Sequence, residues 1–421
     1  MRVAVAIFIL TFLLVNTGVC QSVKSFTTAK PEEAGLSATR LQHIDRMVEE
    51  QVATGAIPGA VAIIVRDGKI VHHKAYGYSD TEKKILLKKD DIFRIASQSK
   101  AITALAVMML WEEGKFLLDD PLSKYIPEFR NPKVVKTFNA RDTSYTTEPA
   151  KSEITIRQLL THSSGIDYAA IGSSEFVALY AKAGVPSGIG NNNDVLADKM
   201  KILGGLPLKT HPGERWLYGL NSDVLGYLVE VLSGMPFDEF LRKRIFDPLT
   251  MKDTYFYLPK EKHGRLVPLY QGRDGKVVSM SGKPYDNVDP DYPKSAGKYF
   301  SGGAGLSSTV EDYAKFLQLF LNGGQFNGVR LLSRKTVELM LTDQQIPNQS
   351  VGLGFGLETE SNDYRSPVSK GSFSWGGAFN THYWADPQER LIGLIYTNIY
   401  QAPQWGIGEK FKALTYQGIV D

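Results

Sequence analysis

The chain has 421 residues, 43% hydrophobic and 22% charged, ordinary proportions for a soluble folded protein longer than one average domain. A net charge of +3 is too close to neutral to argue for nucleic acid or an anionic membrane surface as a partner. The single cysteine, Cys20, excludes a disulfide framework and a cysteine metal site.

The first stretch, "MRVAVAIFILTFLLVNTGVC", has one arginine, an apolar run from Val3 to Val15, then small and polar residues. It reads as a signal peptide over residues 1–20, cut between Cys20 and Gln21. The apolar run is too short to span a bilayer comfortably. The expectation is an exported protein, periplasmic or secreted, with no membrane span once the signal is removed. A lipid anchor on Cys20 is the runner-up, disfavoured because the lipoprotein signal wants a small residue where Val19 stands. The mature chain then has no cysteine, hence no thiol nucleophile, and depends on a large core.

"SVKSFTTAKPEEAGLS" reads as a flexible lead-in. Leu41, Ile44, Met47 and Val48 recur near helical spacing. "GAVAIIVRDGKIVHHKAYGYSD" is two β-branched runs around Asp67-Gly68, a hairpin signal. "FRIASQSKAITALAVMML" opens on a serine and a lysine and then has almost nothing polar. Residues 131–151 are polar and aperiodic, a long loop. "TIRQLLTHSSGI" opens with Thr155 and Gln158 at capping-box spacing and ends on Gly165. "NSDVLGYLVEVLSG" and "PFDEFLRKRIF" read as helices, the second opened by Pro236. Residues 266–298 read mostly as loop. Ser308 or Thr309 caps a helix carrying Tyr313, Phe316, Leu317, Leu319 and Phe320. Strands follow in "GLGFGLE" and "GSFSWGG", then a hairpin around Asp386-Pro387, and "GEKFKALTYQGI" closes as a helix. Strands at both chain ends with helices between predict an α/β (α+β) fold. Its antiparallel sheet is built from both ends and flanked by helices, with a mainly helical insertion. The expected division is an α/β part over 21–125 and 299–421 and a helical part over 126–298, forming one catalytic domain.

No G-x-x-x-x-G-K-[ST], H-E-x-x-H or G-x-S-x-G motif occurs. The seven histidines are scattered, and His162, at a helix end, reads as a cap on carbonyls there. Ser97-Gln98-Ser99-Lys100 places a lysine one helical turn after a serine, on the same face. At a helix N-terminus, free N–H groups favour a developing oxyanion. Burial there favours the neutral amine, and a neutral amine beside a hydroxyl activates it without histidine. The plainer reading makes Ser97 an N-cap and Lys100 solvated, and on this motif alone the two stand level. Ser295-Ala296-Gly297-Lys298 matches the same pattern, but in a Gly/Pro loop with no helix after it.

The ordered series "IFRIAS" with Ser97-x-x-Lys100, "TIRQLLTHSSGI", "PGERWLYGLNSDVLGYLVEVLSG", "IFDPLTMKDTYF", "GGAGLSST" and "WGG" resembles the serine β-lactamase and penicillin-binding-protein superfamily. It looks like the class C β-lactamase branch, and most like the family VIII carboxylesterases, from about Glu33 to Gln417. The resemblance implies a β-lactamase/transpeptidase-like fold with no metal or organic cofactor. It assigns Ser97 as nucleophile, Lys100 as its base and Tyr218 as the phenol sharing the proton. It puts the Ser97 and Ala378 N–H groups in an oxyanion hole, and Trp375, Gly376, Gly377 and Asn221 on the substrate. The family's Tyr-x-Asn has literal matches at Tyr285-Asp286-Asn287 and Tyr396-Thr397-Asn398, both in the wrong context. Tyr218-Gly219-Leu220 stands in the right place with leucine third and Asn221 one residue late. The bland alternatives are a core tyrosine at 218 and a packing tryptophan at 375. Where β-lactamases carry Lys-Thr-Gly or His-x-Gly, this chain has Trp375-Gly376-Gly377, and a tryptophan cannot pair with a β-lactam carboxylate. The expectation is a serine hydrolase forming an acyl-enzyme on short-chain esters. β-Lactams and D-amino-acid peptides are the rival substrates, and a sensor that never deacylates is the rival from another class. Lys100 and Tyr218 count against the sensor.

Overall fold

The computed structural model describes residues 25–190, 193–280, 282–283 and 288–421. The expected leader with Cys20, and Tyr285-Asp286-Asn287, lie outside the described residues. The main strands are β1 (Thr27–Thr28), β2 (Gly59–Arg66), β3 (Lys69–Asp80), β4 (Ile85–Leu86), β5 (Gly356–Leu357), β6 (Phe373–Gly377), β7 (Thr381–Asp386) and β8 (Leu391–Tyr396). Among the described residues they form one eight-stranded sheet in the order β1-β3-β2-β8-β7-β6-β5, with β4 on β3. Every pairing is antiparallel except β1 with β3. The central pair, β2 and β8, joins the two ends of the chain, as expected. The β2–β3 turn puts Asp67 and Gly68 both at left-handed φ, 53° and 72°, the twist that a two-residue hairpin turn requires.

Both faces of the central strands are covered, so β2 and β8 are buried along their whole length. Ala60, Ala62 and Ile64 of β2 face one core with Leu391 and Ile395 of β8; Val61, Ile63 and Val65 face the other with Ile392, Leu394 and Tyr396. The helices are α1 (Ala38–Ala53), α2 (Ser99–Glu112), α3 (Ile156–Leu160), α4 (Ser174–Ala183), α5 (Leu196–Gly204), α6 (Asn221–Ser233), α7 (Phe237–Leu241), α8 (Val310–Leu321), α9 (Arg334–Met340) and α10 (Ile407–Tyr416). α1 and α10 cover the first face, and α8 covers the second with α2 and α6 packed beyond it. α2 is buried from Ser99 through Leu110, on every side, which makes it the central helix of the larger core. Thr155 caps α3 in a reciprocal capping box with Gln158, and Thr309 caps α8.

Three segments differ from expectation. Residues 131–151 are not a loop: Lys133–Asn139 and Ser144–Pro149 pair as an antiparallel ribbon. Residues 266–298 contain a hairpin, Tyr270–Arg273 with Lys276–Ser279, whose first strand also pairs with Ile399–Tyr400. Both ribbons are largely exposed and polar, so they lack the apolar alternation that marks a half-buried strand. The lead-in is pinned rather than loose: β1 bonds to β3, and Pro31–Ala34 forms a 3-10 turn. Among the described residues, no helix is long and apolar enough to cross a membrane.

Candidate active site

Ala96 takes a left-handed φ of 43°, a costly backbone for a residue with a side chain. It begins a single 3-10 turn, Ala96–Gln98, that carries Ser97 and runs into α2. The turn is pinned from several sides. Ser99 Oγ donates to Ala96 O at 2.7 Å, Tyr313 OH donates to Gln98 O at 2.8 Å, and Tyr396 OH donates to Gln98 Oε1 at 2.5 Å. These bonds hold the strained residue, and the serine after it stands at the positive end of a buried helix.

Lys100 is 4% exposed, so the solvated reading does not hold. Its Nζ donates to the Gly303 carbonyl at 2.7 Å and lies 3.1 Å from Tyr168 OH and 3.3 Å from Ser97 Oγ. Tyr218 OH donates to Ser97 Oγ at 2.7 Å, and Nζ sits 4.6 Å above the Tyr218 ring. Ser97, Lys100 and Tyr218 are thus brought together from sites 121 residues apart. The loop carrying Tyr218 is fixed by Leu217 N–H on the His162 carbonyl at 2.7 Å. Gly219 lets that loop pass residues 166 and 167: a β-carbon there would stand 2.0 Å from the Ile166 carbonyl oxygen.

Trp375 lies on β6 and lines, with Lys100, Ala104, Leu160, His162, Trp216 and Phe355, a narrow, mainly apolar crevice beside the amine. Gly377 meets the Ser97 turn, where an added β-carbon would stand 2.3 Å from the Ile95 carbonyl oxygen. Ala378 follows that contact and packs in one cluster with Ala96, so it stands beside the Ser97 turn. Gly376 faces the opposite side of the strand, toward His382 and Trp405.

Asn221 does not face the substrate side. It is fully buried, its Nδ2–H donates to His162 Nδ1 at 2.9 Å, and its Oδ1 accepts from the Ser164 hydroxyl. Both ends of the amide are occupied, because Asn221 starts α6 one residue later than the family pattern and turns inward. His162 is likewise no carbonyl cap. With φ 55° it leaves α3, and its ring lies 4.9 Å from Tyr218 and, nearly parallel, 6.5 Å from Trp375. Burial, and then the positive charge Lys100 carries when protonated, holds the imidazole well below its ordinary value, so it is neutral. Of the other motif matches, Ser295 follows a 3-10 turn with no helix after it. Asn398, after Tyr396, accepts from buried Arg94 at 3.2 Å.

Sequence reasoning missed Tyr168, the Gly303 carbonyl and Asp223. Asp223 is wholly buried in the first turn of α6, with Oδ2 against Gly303: a β-carbon there would stand 2.5 Å away. Burial pushes its carboxyl up to about 6, opposed by the Ser301 hydroxyl, Lys100, Tyr299 and the Gly303 N–H. The run "GGAG" was the available signal, since adjacent glycines permit close backbone approach. Among the described residues, no group of three or more His, Cys, Asp or Glu side chains is arranged to hold a metal.

The Beta-lactamase family model matches residues 44–416. The chain is 33% identical to protein Rv1367c of Mycobacterium tuberculosis over 83% of its own length and 87% of the relative's. It is 29% identical to esterase EstB of Burkholderia gladioli, over 86% of this chain and 91% of that one. Among solved structures, EstCE1, described as a hydrolase with promiscuous acyltransferase activity, superposes with a TM-score of 0.77 at 24% identity. That match covers 90% of this chain and 99% of EstCE1.

Proposed function

This chain belongs to the Beta-lactamase family of serine hydrolases, and we propose that it forms an acyl-enzyme at Ser97 and prefers short-chain carboxylic esters. The observation that carries the reading is the Ser97 hydroxyl held between Tyr218 OH at 2.7 Å and Lys100 Nζ at 3.3 Å. Ser97 Oγ attacks the ester carbonyl as its one proton passes to Lys100 Nζ, with Tyr218 OH as the relay toward the leaving group. The carbonyl electron pair moves to oxygen, facing the N–H groups of Ser97 and Ala378. The proton then goes to the departing alkoxide, and water releases the acid. To act as the base Lys100 must be the neutral amine, which donates to Gly303 O and Tyr168 OH and keeps its lone pair for the Ser97 proton.

The preference for uncharged esters follows from Trp375, which offers an apolar wall where a cation would hold a β-lactam carboxylate. The name of EstB, an esterase, supports ester chemistry, and the description of EstCE1 as a hydrolase with promiscuous acyltransferase activity supports a second reading, in which an alcohol replaces water as acyl acceptor. The apolar leader supports an exported enzyme.

The test is turnover of p-nitrophenyl butyrate and of nitrocefin, with intact mass, for the wild type and Ser97→Ala. Ester turnover well above nitrocefin turnover is expected, both lost in the variant. Ester turnover that survives Ser97→Ala sinks the assignment, and a stable adduct without turnover favours the sensor.

A further inference from the structure

Behind the Ser97–Lys100–Tyr218 cluster lies a charge that this mechanism has not used. Asp223 is fully buried, and its Oδ2 accepts no well-formed hydrogen bond. Such a group is expensive to keep and asks for a reason. It does not sit at random. Oδ2 presses on Gly303, and the carbonyl of that same glycine accepts the Lys100 Nζ hydrogen bond at 2.7 Å. One residue, Gly303, therefore separates the carboxylate from the amine, with its N–H on the acid side and its C=O on the amine side. Glycine at 303 permits this approach: a β-carbon there would stand 2.5 Å from Oδ2, and the carboxylate would have to shift.

The groups facing Asp223 come from each element packed around it. Lys100 approaches from α2, and Tyr299 OH stands 3.5 Å from Oδ1. The Ser301 hydroxyl and Gly303 N–H come from the 299–305 segment, and the backbone of Gly188 stands over both oxygens. Lys100 is the one group among them that can carry positive charge. A carboxylate in so dry a setting acts strongly on a positive charge nearby, since little water screens it.

We infer that Asp223 is a positioning residue for Lys100: ionised, it is the counter-charge for the ammonium that forms when Lys100 takes the Ser97 proton, and through Gly303 it holds the amine in place. The inference rests on the hydrolase reading. In the step it supports, the Ser97 O–H bond breaks, the Nζ–H and Oγ–C bonds form, and the carbonyl pair moves to oxygen. Positive charge appears on Nζ only as the transition state is reached, so the carboxylate lowers the barrier more than it binds the ester. With its carboxyl at about 6, Asp223 gains its charge just below neutral pH.

The test uses the full chain with Asp223→Asn, which keeps the shape and removes the charge. p-Nitrophenyl butyrate hydrolysis is followed from pH 5 to 9. In parallel, a fluorophosphonate is used to label Ser97, read by intact mass, both for its rate and to count competent sites. Expected is a wild-type kcat with an acid limb near 6 and, in the variant, loss of that limb with kcat per competent site down roughly ten- to a hundredfold and KM little changed. Counting sites makes the comparison valid even if part of the variant fails to fold. Superimposable kcat–pH curves for wild type and variant overturn the inference. If the wild type hydrolyses no ester through Ser97, the hydrolase reading fails alone. The labelling rates then decide: slower labelling with an altered pH profile in the variant upholds Asp223, and equal or absent labelling in both sinks it.

Discussion

The Tyr218 hydroxyl donates to Ser97 while its ring is clasped by His162, Trp216, Tyr168 and Trp375, so chemistry and packing can be separated by one atom. Tyr218→Phe keeps the ring contacts and removes the proton path. It is expected to lower kcat by about 10²–10³-fold with KM and melting temperature unchanged, read from steady-state kinetics and thermal unfolding. A rise in KM with kcat unchanged would mean that the hydroxyl binds substrate instead. The residues differ in how visible they are in sequence. Ser97 and Lys100 show because a polar pair opens an otherwise apolar helix, a local contradiction that asks for a function. Tyr218 shows only through the order of the surrounding motifs. Tyr168 and Asp223 carry no local signal, because their roles come from segments that meet only in the fold: Lys100 with Tyr168, 68 residues on, and with Gly303, 203 residues on. Asn221 misled for the complementary reason. A polar residue near a motif looks available, and only tertiary contact shows that His162 and Ser164 already hold it.

At the scale of elements, long buried strands were readable and short exposed ones were not. β2, β3, β7 and β8 have apolar runs set off by turn chemistry, and their hairpins form where expected. The ribbon over 133–149 is held by backbone pairing and contacts such as Thr137 with Thr146, which leave no hydrophobic period. Gly393, in the middle of β8, is a further feature that only packing explains. The indole of fully buried Trp384, its cross-strand partner, lies over it, and a β-carbon at 393 would stand 2.2 Å from the ring. The indole cannot yield, because Phe411 of α10 packs against it at 5.4 Å between ring centroids. Gly393→Ala is therefore expected to destabilise the chain by roughly 1–3 kcal/mol, although alanine suits a strand no worse than glycine. Urea unfolding that matches the wild type would show that the indole has room to shift.

Across the whole molecule, buried histidines set how stability responds to acid. His72 and His382 are each pushed down to about 4, chiefly by burial. At His72 the Asp45 carboxylate opposes this, while Lys74, His73 and Lys89 add to it. At His382, Nε2–H donates to Asn380 Oδ1 at 2.7 Å, and a β-carbon on Gly408 would stand 2.6 Å from Nδ1, so a proton on Nδ1 meets backbone rather than an acceptor. An unfolded histidine titrates near 6.5, so between about 6.5 and 4 the unfolded chain binds more protons than the folded one. Their stabilisation is complete above about 6.5 and is lost as pH falls toward 4, by roughly 3 kcal/mol for each histidine. Asp223 works the other way. With its carboxyl raised to about 6, its folded state binds the extra proton, and its contribution falls as pH rises from about 4 to 6. Two histidines outweigh one carboxyl, and the net expectation is a loss of stability on acidification from pH 7 to 5. His382→Phe cannot take a proton and keeps an aromatic ring against Trp405. It should lower stability at pH 7.5 through the lost Asn380 bond, yet flatten the decline toward pH 5. Urea midpoints at pH 7.5, 6 and 5 decide, and a variant whose decline parallels the wild type's would remove His382 from the account.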